Sequence, residues 1–461
     1  MSTISQSIAS YLCKQEDINE ETTHSASVAF LDAYGCILGA ASNEQVSSFA
    51  LPLHFQNTSA HPLRILEELD SELDTARYLG TLVRWFDFND TFLAKEWAHP
   101  SDNIGGVWSS VLKYNESPKF KDILTALTKA YEIQGSLALG TSLNQYGYDH
   151  VFYVKLATAA VSSSIQSNFS LDKISRTINN VLNDGLQLRA YRHEPHVGKR
   201  KSWAAGDAAA RGLWLAQISS YDDNIYNGVQ DEPLWGFEKV FLQENKLALG
   251  KTLDAWVINN ILYKVSFPAE FHGQSAVEAA IFLHPIFQEK YGEIDKIIIN
   301  THEPALRIIS KSGKLENESA RDHCLEYMTA VALIDGIVTS HSYTNKYEKL
   351  EEVEDLRAKF QVIEDEEYTK MYYDIGKRYI PNKVYFQYKD GTFSQQKEVL
   401  CPIGHPSRRD EAIPLLKDKF ISNSLSFHSE EFSSKLWDKV LEGNFTDKPL
   451  KSFVEYVLDH E

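Results

Sequence analysis

Three short stretches hold residue types that could move protons on a charged small molecule. The densest, residues 85–107, reads W-F-D-F-N-D-T-F-L-A-K-E-W-A-H-P-S-D-N-I-G-G-V and sets Asp87, Asp90, Thr91, His99 and Asp102 within sixteen positions. Carboxylates beside a histidine are the groups that exchange protons near neutral pH. The same residues also suit an Asp/Asn-rich turn around a satisfied histidine. Residues 189–207, R-A-Y-R-H-E-P-H-V-G-K-R-K-S-W-A-A-G-D, carry Arg189, Arg192, His193, His196, Lys199, Arg200 and Lys201 ahead of a small-residue helix. A basic loop at a helix N-terminus is an anion site, or else a solvated charge run. His193 and His196 lack the further ligand spacing that a zinc site needs. Residues 263–276, Y-K-V-S-F-P-A-E-F-H-G-Q-S-A, offer Lys264 and His272, whose bland alternative is a surface lysine and a core histidine. Smaller candidates are His150 in Y-D-H, the pair Asp322-His323, and Gly404-His405.

The elements that must hold these groups follow from hydrophobic period. Residues 122–138 and 171–186 carry apolar side chains at helical spacing, while 151–165 and 207–218 are rich in small residues that let helices pack closely. A long helix is expected over 62–84, ending at the first cluster. After about residue 264 the pattern changes: K-I-I-I-N at 296–300 suits a buried strand, and 383–388, Asp390-Gly391 and 392–399 read as a hairpin with an Asp-Gly turn. Helices are expected at 276–287 and 324–333, and the charged 348–367 as a solvated helix or connector. Helix returns from 411 onward. The fold class expected is mainly α with an inserted α+β domain. Residues 1–264 and 399–461 would form the helical domain from both chain ends, and 265–398 a smaller inserted domain.

Composition narrows the class. The 461 residues carry 46 Lys and Arg against 64 Asp and Glu, a net charge of -18 that repels nucleic acid and anionic membranes. No run of about 18 apolar residues suggests a membrane span. Cys13, Cys36, Cys324 and Cys401 lie far apart, so neither a disulfide framework nor a thiolate metal site is indicated. Residues 1–21 lack signal- and transit-peptide character, which makes the cytoplasm the expected location, or the mitochondrial matrix if a presequence was removed. P-loop, dinucleotide-glycine, H-E-x-x-H and G-x-S-x-G motifs are all missing from the sequence.

Taken together, R-W-F-D-F-N-D-T-F-L-A-K-E-W-A-H-P-S-D-N (84–103), R-K-S-W-A-A-G-D-A (200–208), K-V-S-F-P-A-E-F-H (264–272), R-D-H-C-L-E-Y-M (321–328) and P-I-G-H-P-S-R-R (402–409) resemble the MmgE/PrpD family. The resemblance runs in order from about residue 25 to 425. It implies a helical domain with an inserted α+β lid, a homodimer, no metal and no other cofactor. The activity it implies is loss of water from 2-methylcitrate, a small tricarboxylate. The alternatives are decarboxylation of cis-aconitate, or dehydration or isomerisation of a related hydroxy acid. The family's active-site pattern carries over as Asp87, Thr91, His99, Lys201 and Lys264. A longer loop between Thr91 and His99, and Glu270 where the decarboxylase has histidine, favour the dehydratase. His99 is expected to transfer protons, as acid to the leaving hydroxyl, with Asp87 as base or as its orienter. Lys201 and Lys264 are expected to clamp carboxylates, helped by Arg192 or His272. Thr91 and His150 complete the expected substrate contacts.

Overall fold

A computed structural model describes residues 3–15, 17–52, 55, 60–193, 196–221, 227–374 and 376–461, and helix starts in it follow the capping chemistry of the sequence. Asn19 accepts from the Thr22 amide (2.8 Å) to open the buried helix Glu20–Ala41. The expected 62–84 helix is two helices, Pro62–Glu68 and Glu72–Arg84, with extended backbone at Leu69 and Ser71. Ser71 accounts for the break: its hydroxyl accepts from the Leu73 amide (3.2 Å), and Glu72 and Asp74 then fill the first turn, where negative charge suits the exposed amides. The other expected helices form as Phe120–Gly140, Val151–Gln166, Leu171–Asn183 and Arg200–Tyr221. No helix among the described residues is long and apolar enough to cross a membrane.

The chain divides into two units, one of Met1–His193, Arg200–Leu262 and Ile413–Glu461, the other of Glu194–Lys199 and Tyr263–Ala412. In the first, Glu72–Arg84 and Arg200–Tyr221 run antiparallel. A Cβ on Gly80 would stand 2.7 Å from the Cα of Gly206, and one on Gly206 would stand 2.6 Å from the Arg77 carbonyl. Far from this crossing, the Gln217 amide reaches Glu72 (2.6 Å). Gly212 meets the Lys155 carbonyl, and Gly105 the Ala76 carbonyl, in the same backbone-to-backbone manner. The small-residue stripes noted in sequence therefore serve close approach, which any side chain larger than hydrogen would block. The chain's last segment packs on its first: Lys419 pairs with the buried Asp32 (2.6 Å), and the amide of Leu450 donates to Pro118 (2.7 Å).

The second unit is built on a four-stranded sheet in the order β2-β1-β3-β4, with β1 at Ile294–Thr301, β2 at Phe360–Glu364, β3 at Asn382–Tyr388 and β4 at Lys397–Val399. Strand β1 runs parallel to β2 and antiparallel to β3. Ile297, Ile299, Val384 and Phe386 pack with Val277, Ala280 and Leu283 of the helix Gln274–Lys290 and with the helix Leu325–Asp335. The expected hairpin forms, and Gly391 takes φ +84° in its turn while Asp390 accepts from the Thr392 amide (2.9 Å). Strand β2 lies inside the charged stretch expected to be helix or connector. Its F-Q-V-I-E has the alternation of an edge strand, hidden in sequence by the acidic helices on either side. Residues 399–412, assigned by sequence to the helical domain, belong to the second unit. The Tyr263 amide donates to Gly404 (3.0 Å) and Arg408 pairs with Glu278 (2.8 Å), so local pairing outweighs the helical pattern that resumes beyond.

Gly206→Ala is expected to lower the unfolding free energy by about 1–3 kcal/mol, because the neighbour it meets is backbone and cannot rotate aside. Gly292→Ala, at a site with nothing within 4 Å, serves as the control and should change it by less than about 0.5 kcal/mol. Urea unfolding measures both.

Candidate active site

The helix Glu72–Arg84 ends where the first cluster begins, and the turn that follows is strained. Asp87 has φ +52°, a left-handed conformation rare outside glycine, which side chains such as Asp tolerate better than most. It is buried and ion-paired with Arg84 three residues back, on the last helical turn. The next carbonyl, of Phe88, accepts from the Lys419 ammonium (2.6 Å). The loop then closes on itself. Asn89 donates to Ser101 (2.8 Å) and to Asp102 (3.2 Å), and Asp90 accepts from the Ser101 amide (3.1 Å) and hydroxyl (2.7 Å). Thr91 exchanges both backbone hydrogen bonds with Leu262 (2.8 Å each), and its hydroxyl donates to the carbonyl of Ala98 (3.0 Å). Phe92 and Ala98 pair across the short loop that leads to His99.

Two described partners bear on the tautomer of His99. Its Nδ1 lies 2.8 Å from the carbonyl of Asp90, which can only accept, so Nδ1 carries the proton. Its Nε2 lies 3.1 Å from Nη2 of Arg84, which can only donate, so Nε2 presents its lone pair. These two contacts fit the tautomer with the proton on Nδ1 and the lone pair on Nε2. Lys201, on the first turn of Arg200–Tyr221, is buried and reaches the second oxygen of Asp87 (3.7 Å). The Gly80–Gly206 crossing places it there, four or five residues from the contact on either helix.

Behind these groups lies a second charged layer. Arg192 holds Asp149 through Nε and Nη2, which donate to its two carboxylate oxygens, the Nη2 pair at 3.1 Å. Burial alone would raise the Asp149 carboxyl, but Arg192 outweighs it and holds the group well below the usual carboxylate range. The His150 ring centroid is 5.6 Å from that of His99. Burial, and then the charge of Arg192, keep His150 neutral far below the usual histidine range, and its Nε2 is buried with no hydrogen-bond partner. Asp102 is buried with Oδ2 likewise unpartnered. Burial pushes its carboxyl up to about 7, against the pull of Arg84.

The second unit holds Lys264 and His272, both buried. His272 Nδ1 donates to Glu270 (2.8 Å), whose other oxygen accepts the His272 amide (2.8 Å), and Nε2 meets the Tyr372 hydroxyl (3.1 Å). Burial would raise Glu270, but His272 outweighs it, with Lys264 and His323 acting in the same sense, and the carboxylate stays charged. Asp322 and His323 pair with each other (2.8 Å).

Of the residues expected from sequence, Asp87, Thr91, His99, His150, Arg192 and Lys201 fall in the first unit, while Lys264 and His272 fall in the second around Glu270. The described cations of the basic loop divide among several partners. Arg192 is taken by Asp149, Lys199 pairs with Glu318 (2.7 Å), and Arg200 stacks on Trp203 (4.4 Å), leaving Lys201 as the member joined to Asp87. Glu194 and Pro195 of that loop lie outside the described residues. Sequence reasoning missed Arg84, which looked like an ordinary helix end. Its signal is the spacing of three to Asp87, one helical turn. It also missed Asp149, which stands beside His150 in the Y-D-H triplet, and Tyr372, for which the sequence offers no signal.

Residues 6–249 match the family model described as the MmgE/PrpD N-terminal domain, and residues 267–442 match the MmgE/PrpD C-terminal domain. The chain is 36% identical over 449 residues to 2-methylcitrate dehydratase of Escherichia coli (strain K12), covering 94% of this chain and 92% of that protein. It is 37% identical over 431 residues to a mitochondrial 2-methylcitrate dehydratase of Yarrowia lipolytica, covering 90% and 82%. It is 41% identical over 356 residues to 2-methylcitrate dehydratase of Cupriavidus necator, covering 75% and 73%.

The geometry around Asp102 sets a pH dependence of stability. Its folded value, about 7, lies above the ordinary 3.8, so between the two the folded chain holds a proton that the unfolded chain has lost. The contribution is fully present below about pH 4 and is lost as pH rises through about 7. Asp102→Asn mimics the protonated group, so its Tm should exceed that of the unaltered chain at pH 8 and approach it at pH 4, as calorimetry at the two pH values will register.

Proposed function

This chain belongs to the MmgE/PrpD family, and from that membership we propose that it eliminates water from 2-methylcitrate to give 2-methyl-cis-aconitate. The observation that carries this is breadth of likeness: relatives named 2-methylcitrate dehydratase, from bacteria and a yeast, align with three quarters or more of the chain at 36–41% identity. The protein is thus a hydro-lyase of propionate catabolism, and the buried groups described above are those such a reaction calls for.

Dehydration must remove a proton from a weak carbon acid beside a carboxylate and expel hydroxide, a poor leaving group. It needs a base, an acid and cations for the carboxylates. His99 exchanges its proton at Nε2, because Nδ1 is committed to the Asp90 carbonyl. Asp87 orients Arg84 and Lys201, and a left-handed backbone at a buried ionised residue is the kind of strain that accompanies function. Lys201 and Lys264 meet substrate carboxylates, Thr91 and His150 contact the substrate, and Arg192 and His272 support them through Asp149 and Glu270. The reaction so conceived uses no cofactor. In this reading the second unit is the inserted α+β lid domain, the protein is a homodimer, and its place is the cytoplasm or the mitochondrial matrix.

The test is ultraviolet absorbance of the conjugated product, with chelator-treated protein and 2-methylcitrate. A rise without added metal supports the reading. No rise, with carbon dioxide released from cis-aconitate, replaces it by the decarboxylase. Within the dehydratase, His99→Ala should lower kcat by about 10²-fold or more. Lys201→Ala should chiefly raise KM if the ammonium only binds, whereas a loss confined to kcat would give it a part in the transition state.

A further inference from the structure

Arg84 spans two groups that the reaction uses. One nitrogen of its guanidinium pairs with Asp87, another donates to Nε2 of His99 (3.1 Å), and Nε is buried with no hydrogen-bond partner. The whole side chain is buried, at 2% exposure, which makes these contacts strong and their geometry narrow. A proton on Nε2 would set an imidazolium N–H against a guanidinium N–H, two donors and two positive charges with no acceptor between them. The tautomer of His99 is therefore imposed by the Arg84 and Asp90 contacts together.

We propose that Arg84 is a positioning residue that makes His99 the proton acceptor of the reaction and masks its lone pair until a substrate carboxylate draws the guanidinium away. The proposal rests on the dehydratase reading, reverses the role expected for His99 as acid to the leaving hydroxyl, and moves that acid role to Lys201 in place of a carboxylate clamp. Carboxylate binds guanidinium through charge-assisted, often paired hydrogen bonds, stronger than a bond to neutral imidazole. An arriving tricarboxylate therefore competes for Arg84 and frees Nε2. His99 then takes the proton from the carbon beside the carboxylate. The C–H electron pair becomes the new C=C bond. The C–O pair departs with the hydroxyl oxygen, which leaves as water after taking a proton from the Lys201 ammonium, the cation joined to Asp87. Proton return from His99 to Lys201 restores both groups. Among the described contacts of the ring, Arg84 meets Nε2, the Asp90 carbonyl meets Nδ1, and the His150 ring lies 5.6 Å away between centroids.

The test combines nitrogen NMR of histidine-labelled full-length protein with pH profiles. His99 is assigned by the signal lost in His99→Gln. At neutral pH its ring should be neutral with the proton on Nδ1, and tricarballylate, a tricarboxylate without a hydroxyl, should shift Nε2. In Arg84→Gln the acidic limb of kcat/KM should move to higher pH by about 1 unit, because a neighbouring positive charge no longer disfavours the protonated ring. Arg84→Lys, which retains charge without the fork, should move it less. An imidazolium, or a proton on Nε2, in the unaltered protein overturns the proposal, as does an acidic limb that stays in place in both variants. The NMR measurement needs no turnover, so a chain inactive on 2-methylcitrate would overturn the dehydratase reading while leaving the tautomer result to be judged by itself.

Discussion

Gly80 and Gly206 meet where two antiparallel helices cross, at a separation that leaves no room for a side chain on either. One helix ends in Arg84 and the turn to Asp87, and the other begins with Arg200 and Lys201. The two ends of an acid–base cluster are thus fixed by backbone contact between rigid elements, which holds geometry more tightly than contact between flexible side chains can. Neighbouring glycines at 105 and 212 repeat the device against Ala76 and Lys155, so the helices carrying the cluster are held at several points. The cost is the unfolded-state entropy of glycine, offset by a helix core that cannot slide.

On that frame the protein concentrates charge where charge is expensive. Removing an ion from water costs several kcal/mol, and a buried pair recovers it only with good geometry and further hydrogen bonds. Arg84, Asp87 and Lys201 form one such chain, and Arg192 with Asp149 forms another with both forks engaged. Asp102 and His150 show the opposite answer to burial: the Asp102 carboxyl is pushed up to about 7 and His150 is held neutral, each with an unpartnered polar atom. Groups driven in opposite directions within one cluster divide labour between charge and proton. The overall charge of -18 makes such local organisation necessary for any protein that receives a polyanion.

Much of this was legible. The D-F-N-D-T and H-P-S-D-N segments announced a loop rich in titratable groups, the small-residue stripes announced tight helix packing, and the Asp-Gly turn announced the hairpin. What was not legible depended on partners distant in sequence. Arg84 looked like a helix end because its role comes from Asp87 and from His99, fifteen residues on. The basic loop looked like one anion site because sequence cannot show that Asp149, Glu318 and Trp203 would divide it. The break before Ser71 and the edge strand at 360–364 were local signals outvoted by longer patterns around them.

The hydrogen bond from Lys419 to the Phe88 carbonyl bears on when the protein becomes competent. That ammonium also holds buried Asp32 and lies 4.0 Å from the Phe88 ring centroid. The turn that shapes Asp87 therefore takes its brace from a helix near the end of the chain. A ribosome adding residues one by one can assemble most of the first unit early, yet the strained turn has no such support until residue 419 has emerged and the whole second unit has been made. Maturation is in this sense a last-step event, and a nascent chain interrupted during synthesis carries the Asp87 turn without its Lys419 brace.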